Sequence, residues 1–462
     1  MRTVLLDPGS YDCLNFGDLA MLQVAVARWN ALWPSASVAV LTAAPEALAS
    51  YSPSAIPVDV RDRAAWLNTH IAGRFHRSLP SPVAARLERL ERGLKLDSAR
   101  ALELALAMRR RSSPDHASGR AGFLHWLRHA DVVALTGGGA LTDAFSVKAS
   151  QVLDTLAMAV RRNRRHGKPV TAIFGQGFGP LNYPDLRERA AQVLPRIDLI
   201  ALRENQTSPS LIAQLGARDD RIILTGDDAI ELVFDNRSSA SGNAIGVNVR
   251  VSYYAHTDAS TLETVKQAVV AAARRYDAAL IPVPISRQRG SAHSHNAEQS
   301  DGASIQNLLA DTGLQRAGWR QPDSPAGVIR DVGGCRLVVT GSYHGAVFAL
   351  AQGIPAIGLA ASPYYRAKFV GLAEQFPGGV QMVDMTEPGW GERLEGAIDQ
   401  AWPLTERLRS ALLEAAARQI ELSRGAYATV ARLAAARTPR VQANVAAHEP
   451  GEQRSSASAP LG

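Results

Sequence analysis

Residues 338–355 read VVTGSYHGAVFALAQGIP. A short apolar run ends in Gly341 and Ser342. Tyr343, His344 and Gly345 follow, and then an apolar segment with helical spacing. An imidazole at the handover from strand to helix has two readings. It can pack or cap the turn. Alternatively the turn faces a ligand, and His344, which both takes and gives protons near neutral pH, does chemistry on it.

Four other turns carry residues of the same kind. Asn15–Asp18 (NFGD) precedes a helical segment and places an amide and a carboxylate at its start, either as a cap or as ligand contacts. Gly17 allows a close approach there. Thr136–Leu141 (TGGGAL) follows a buried run. Three successive glycines, Gly138 and Gly139 among them, suit a backbone that presents amides to a phosphate or carboxylate. No GK[ST] follows and the spacing is not GxGxxG, so neither nucleotide fingerprint is present. In Gly175–Pro180 (GQGFGP), Gln176 can bond a ligand or brace its own loop. In Ala201–Ser208 (ALRENQTS), Arg203 and Glu204 stand at a strand end, where an Arg can fork onto an anion or the two can form a salt bridge between domains.

These turns need strands and helices to hold them. Apolar runs alternate with helix-like segments along the chain, the pattern of α/β units with parallel sheets. TVLL (3–6), SVAVLT (37–42) and IPVDV (56–60) read as strands, and Leu19, Leu22, Val26 and Trp29 recur at helical spacing. Residues 61–130 read as a helical excursion, with a polar break at RSSPDHASG. Strand–turn–helix units return in DVVALTGGGALTD, PVTAIFGQGFGPL, IDLIALRENQTSPSLIAQLGA and RIILTGDDA. The polar stretch 235–243 reads as a linker. A second set follows: 244–250, 278–286, 335–342, 354–360 and 380–384. A long helix is expected over 404–435. The organisation expected is therefore an N-terminal Rossmann-like domain over 1–236, a second over 243–385, C-terminal helices over 386–437 and a disordered tail over 438–462.

The chain has 462 residues, 46% of them hydrophobic and 20% charged, which is the balance of a folded globular protein with a large core. Its formal charge of +7 is dispersed, unlike the concentrated basic face of a nucleic-acid binder, and suits anionic small substrates or loose attraction to an acidic membrane surface. The basic run Arg161–Lys168 reads as a solvated helix end. Cys13 and Cys335 form no metal-like spacing, and a reducing compartment is expected. His293 and His295 lie in a polar loop that reads as solvated. The opening residues are too briefly apolar for a signal peptide and no run approaches a membrane span, so a cytoplasmic protein is expected, at most peripheral to the inner face of the membrane.

Taken together, NFGDLAML, DVVALTGGGAL, FGQGFGPL, ALRENQTSPSLIAQLG, TGSYHGAVFALAQGIPAIGL and YYRAKFVGL, in this order, resemble the polysaccharide pyruvyl transferase family over about 1–45 and 130–375. The resemblance implies a GT-B-like fold, two Rossmann-like domains facing across a cleft. It implies phosphoenolpyruvate as donor substrate with no further cofactor, and a sugar or lipid-linked glycan as acceptor of a pyruvate ketal; no cluster of ligand residues in the sequence calls for a metal. On it, His344 and Asp18 share acid/base work, and Arg203 and Lys368 hold the donor's carboxylate or phosphate. Gly138 and Gly139 present amides and Asn15 orients a hydroxyl, with Gly17 and Gln176 as further candidate substrate-binding residues. Members of the family carry Arg two residues before the His; here that position is Ser342, and Arg250 at the end of GVNVR is the candidate replacement. Two rival readings are a GT-B glycosyltransferase, which would want an acidic residue for a ribose at the second domain's ligand edge, and a non-catalytic glycan-binding relative. Nucleic acid is not an expected partner; a homo-oligomer is compatible with the sequence.

Overall fold

The computed structural model describes residues 1–67, 81–97, 121–167, 169–249, 259–287 and 301–437. Arg250, the loop with His293 and His295, the polar break before residue 121 and residues 438–462 lie outside them.

Two parallel sheets organise the chain. The first has seven strands: β1 (Thr3–Asp7), β2 (Ser37–Thr42), β3 (Ile56–Asp59), β4 (Val132–Thr136), β5 (Val170–Gln176), β6 (Leu199–Leu202) and β7 (Ile222–Leu224), ordered β3-β2-β1-β4-β5-β6-β7. The second has five: β8 (Ala244–Asn248), β9 (Ala279–Pro282), β10 (Cys335–Thr340), β11 (Ala356–Ala360) and β12 (Val380–Asp384), ordered β12-β11-β10-β8-β9. Among the described residues the strands of both sheets pair in parallel, for example Val4 with Val132 and Val338 with Gly246. Strands such as VVALT and VTAIFGQ are buried along their whole length because helices cover both faces, which is why they read as continuous apolar runs.

The strand order reverses between β1 and β4 in the first sheet and between β8 and β10 in the second. Ligand crevices of open parallel sheets form beyond the C-terminal strand ends at such reversals. The turns picked out from the sequence leave β4, β5, β6 and β10 at those ends, and NFGD starts the Phe16–Leu32 helix after β1. The basic run from Arg161 closes the Ser146–His166 helix.

The halves are tied together in two ways. Asn15 and Ser286 form an antiparallel bridge, with Phe16 N donating to Ile285 O at 2.9 Å and Arg287 N to Leu14 O at 2.8 Å. The Thr405–Arg437 helix runs through both cores. Leu412, Ala416 and Ile420 pack in the second half with Phe348 and Phe376; Tyr427, Val430 and Ala434 pack in the first with Trp29 and Phe174. This helix matches the length and entry point read from its spacing.

Candidate active site

His344 is the second residue of the Tyr343–Leu350 helix that follows β10, and only 7% of it is exposed. Its ring lies against the backbone at Gly17: a Cβ there would overlap the imidazole. The strand–helix turn of the second half thus meets the first helix of the first half. Nε2 of His344 faces Oδ2 of Asp227 at 3.6 Å, and Asp227 is wholly buried at its side chain. Burial alone would push the Asp227 carboxyl up. His344, then Arg203 and the amide of Ala229 outweigh it, so the carboxyl is held below its ordinary range. Gly17→Ala is expected to push the ring off Asp227 and to reduce turnover at least tenfold while the chain still folds. Steady-state rates together with a thermal melt check this.

Arg203 is buried just past β6. Its Nη1 lies 3.7 Å from Asp227 Oδ2, and its guanidinium stacks 4.3 Å from the Tyr343 ring. Burial opposes its charge, but Tyr343, Asp227, Tyr364 and Asp18 raise its affinity for the proton. A Cβ on Gly177 would stand 2.7 Å from Arg203 Nε, so the second Gly-rich turn lacks a side chain where the guanidinium fits. Gly139 does the same on the first turn: its Cβ position is 3.0 Å from Tyr364 Oη, 3.5 Å from Arg203 Nη2 and 3.9 Å from Lys368 Nζ. Lys368 Nζ lies 3.9 Å from the centre of the Tyr364 ring, one helical turn away on Pro363–Gln375. Burial lowers the proton affinity of Lys368, and Arg203 adds to this against the pull of Tyr364.

Asp18 stands half-buried on the first turn of its helix, with Oδ1 3.6 Å from the Cβ position of Gly138, whose φ of +82° suits only glycine. Residues from NFGD, TGGGAL, GQGFGP, ALREN, TGSYHG and YYRAK therefore form one buried cluster where the two halves meet. Its buried polar atoms Arg203 Nε, Asp227 Oδ2, His344 Nε2, Tyr343 Oη and Gln176 Oε1 have no hydrogen-bond partner within the protein. Native interiors rarely leave such groups unsatisfied, and a ligand is one standard reason for it.

For three residues the local hydrogen bonds bear on readings that the sequence left open. The Asn15 side-chain oxygen accepts from Gly17 N at 3.0 Å and Asp18 N at 3.2 Å, so it is a helix cap, and what Asn15 can offer a ligand is its NH2 group. Gln176 braces its loop through Nε2 to Gly177 O at 2.6 Å, and only its oxygen remains for a ligand. Glu204 does not pair with Arg203: its carboxylate takes Gln206 N at 2.6 Å, Thr207 N at 2.9 Å and Ser208 N at 2.8 Å, fixing the entry to the next helix. Ser342 lies beside a second opening of about 600 Å³, open solvent included, between Asn15, Ser286, Gly341 and Tyr365; its amide donates to Thr340 Oγ1 at 2.9 Å. Arg250 lies outside the described residues.

Asp227, Tyr343 and Tyr364 were not singled out from the sequence. The adjacent Asp228 turns the other way, accepting from Arg28 Nη1 at 2.9 Å, Ser423 Oγ at 2.5 Å and Tyr427 Oη at 2.7 Å. The one available signal was the doubled acid of GDD at a strand end. Among the described residues no group of three or more His, Cys, Asp or Glu can hold a metal ion, and no helix is long and apolar enough to cross a membrane.

The sequence model of one family, polysaccharide pyruvyl transferase, matches residues 15–363. No curated protein sequence matches the chain significantly. Solved structures of similar fold include a UDP-GlcNAc 2-epimerase from Neisseria meningitidis bound to UDP-GlcNAc, with TM-score 0.52, 12% identity and coverage of 94% of this chain and 100% of that one. The Anabaena HepE protein in complex with UDP gives TM-score 0.50, 13% identity and coverage of 94% and 98%. At such identity the likeness is one of fold, and the fold of the chain is GT-B-like.

Proposed function

Because the chain belongs to the polysaccharide pyruvyl transferase family, we propose that it transfers the pyruvate unit of phosphoenolpyruvate to two hydroxyls of a sugar as a ketal, releasing phosphate. The acceptor is a sugar of a cell-surface polysaccharide or glycolipid precursor, reached from the cytoplasmic side, and no cofactor beyond the donor takes part. One observation carries this reading: a histidine faced by a buried carboxylate, two cations and two Gly-rich turns form one cluster between the halves.

The reaction sets the site's tasks. Two C–O bonds form at C2 of the donor, the C2–O bond to phosphate breaks, and the C3 methylene becomes a methyl group. Two sugar hydroxyls give up protons; one proton is accounted for on C3 and one on phosphate. Protonated His344, its charge supported by Asp227, gives the proton to C3. Arg203 and Lys368 hold the donor's anionic groups, with amides of the Gly138–Gly139 turn beside them. Asp18, against the same turn, takes a proton from the first sugar hydroxyl.

Incubation with phosphoenolpyruvate and a panel of acceptor glycans is expected to give the mass increment of a pyruvate ketal together with released phosphate. Donor at 100 times its dissociation constant is expected to add about 2.7 kcal/mol of stability, seen as a higher melting temperature. A flat melt at millimolar donor would favour a non-catalytic relative. One observation favours a nucleotide-sugar reading: Asp301 lines the second opening at the second sheet's ligand edge, where a ribose-binding acid is wanted. Its Oδ2, however, takes Ile285 N at 3.2 Å and Ser286 N at 2.8 Å. Calorimetric titration with UDP-sugars against phosphoenolpyruvate separates the two.

A further inference from the structure

Phosphate leaves the donor as a poor leaving group unless its bridging oxygen is protonated or its charge is neutralised. The residues so far given proton work, His344 and Asp18, serve C3 and the sugar. The cluster around Gly139 supplies a third. Gly139 is not at a positive φ, so its backbone does not demand glycine; what a side chain there would meet is Tyr364 Oη, Arg203 Nη2 and Lys368 Nζ, all within 4 Å of one point. The Gly-rich turn is thus trimmed to bring backbone up to a phenol flanked by two cations, the arrangement that gathers a phosphoryl group.

Three charged groups face the phenol from the elements packed around it: Lys368 from its own helix, Arg203 from the end of β6, and Asp18 from the first helix. Burial pushes the Tyr364 phenol up, but Lys368 and then Arg203 outweigh it and hold it below its ordinary value, against a smaller opposing push from Asp18. Arg203 keeps its charge at every relevant pH, so it still opposes the effect of burial on the phenol when Lys368 gives up its proton. Tyr343, one residue before His344, shows the contrast: burial and Asp227 push its phenol up.

Building on the transferase reading, we propose that Tyr364 gives its hydroxyl proton to the departing phosphate, which Arg203 and Lys368 hold against it. As the C2–O bond breaks, its electron pair stays on the phosphate oxygen and takes the Tyr364 proton. The second sugar hydroxyl then bonds to C2, and its proton returns Tyr364 to the phenol.

Tyr364→Phe keeps the ring that packs under Lys368 and removes the hydroxyl, with its proton and its hydrogen bond to Lys368. Its phosphate release in the presence of acceptor is expected to fall about 10²–10⁴-fold, with donor affinity within about tenfold of the parent chain. The pH profile supplies a reading that packing alone would not move. An acid must be protonated to act, and the parent rate needs the protons of His344, Lys368 and Tyr364; of the alkaline falls these give, only the one due to Tyr364 is expected to move to lower pH when 3,5-difluorotyrosine stands at position 364. A Tyr364→Phe chain within threefold of the parent rate, or a difluorotyrosine chain with no alkaline fall moved, overturns the assignment while leaving the transferase reading standing. No ketal and no phosphate from the unaltered chain overturns both.

Discussion

A His344→Ala chain is expected to release phosphate from phosphoenolpyruvate about 10²–10⁴ times more slowly than the parent, the span that a positioned proton donor typically contributes. The fold should survive the change. Position 344 lies in the first turn of a helix, where Ala is well tolerated. Asp227, the carboxylate the ring faces, keeps Arg203 at 3.7 Å. The measurement is single-turnover phosphate release, paired with a thermal melt to show that the variant is folded. Parent-like turnover in a folded His344→Ala chain would remove the imidazole from the chemistry and leave it as packing against Gly17.

Arg203→Met should act on two quantities at once. A charge-assisted hydrogen bond to the donor is worth about 1.5–3 kcal/mol, so donor affinity is expected to fall about 10- to 150-fold. Stability should fall as well. Asp227 is buried with Arg203 as its permanent cation, and breaking a buried pair costs about 3–5 kcal/mol when nothing else faces the orphaned charge. Here His344 still faces it, so the loss should sit below that range. Adding Asp227→Asn removes the orphaned charge and is expected to restore part of the stability without restoring donor affinity. A double-mutant cycle by chemical denaturation checks this. Acid titration carries the same information. The folded-state pKa of Asp227 is depressed, so between the ordinary carboxylate value and the lower folded one the unfolded chain binds more protons. The stabilisation from Asp227 is in full at neutral pH and is lost as pH falls through that window, a loss that Asp227→Asn should remove.

Much of this was legible before any coordinates. Continuous apolar runs such as VVALT and CRLVVT announced strands covered on both faces, and the turns behind them held His344, Arg203, Gly138 and Gly139. Lys368 came with its helix. What spacing could not convey was which of two equivalent groups faces inward. In RIILTGDDA the two acids are chemically identical, and only the packing of the last helix sends Asp228 to Arg28 and leaves Asp227 for the cluster. The two tyrosines of YYRAK pose the same problem. Asn15 and Gln176 show the opposite limit. Each is a residue type that serves a backbone as readily as a ligand, and here much of each side chain serves its own turn. Glu204, beside a cation in sequence, is drawn instead to the amides two, three and four residues on, a local turn at the start of the next helix.

The neighbouring acids Asp227 and Asp228 have a practical corollary for anyone re-engineering this scaffold. One peptide unit joins the carboxylate that faces the imidazole to the one clamped by Arg28, Ser423 and Tyr427. The Thr405–Arg437 helix therefore sets the aim of the carboxylate that faces the imidazole, almost two hundred residues earlier in sequence. A library meant to broaden acceptor choice is best kept off the final helix around Ser423 and Tyr427, because a substitution there would detune the reaction centre while touching no substrate.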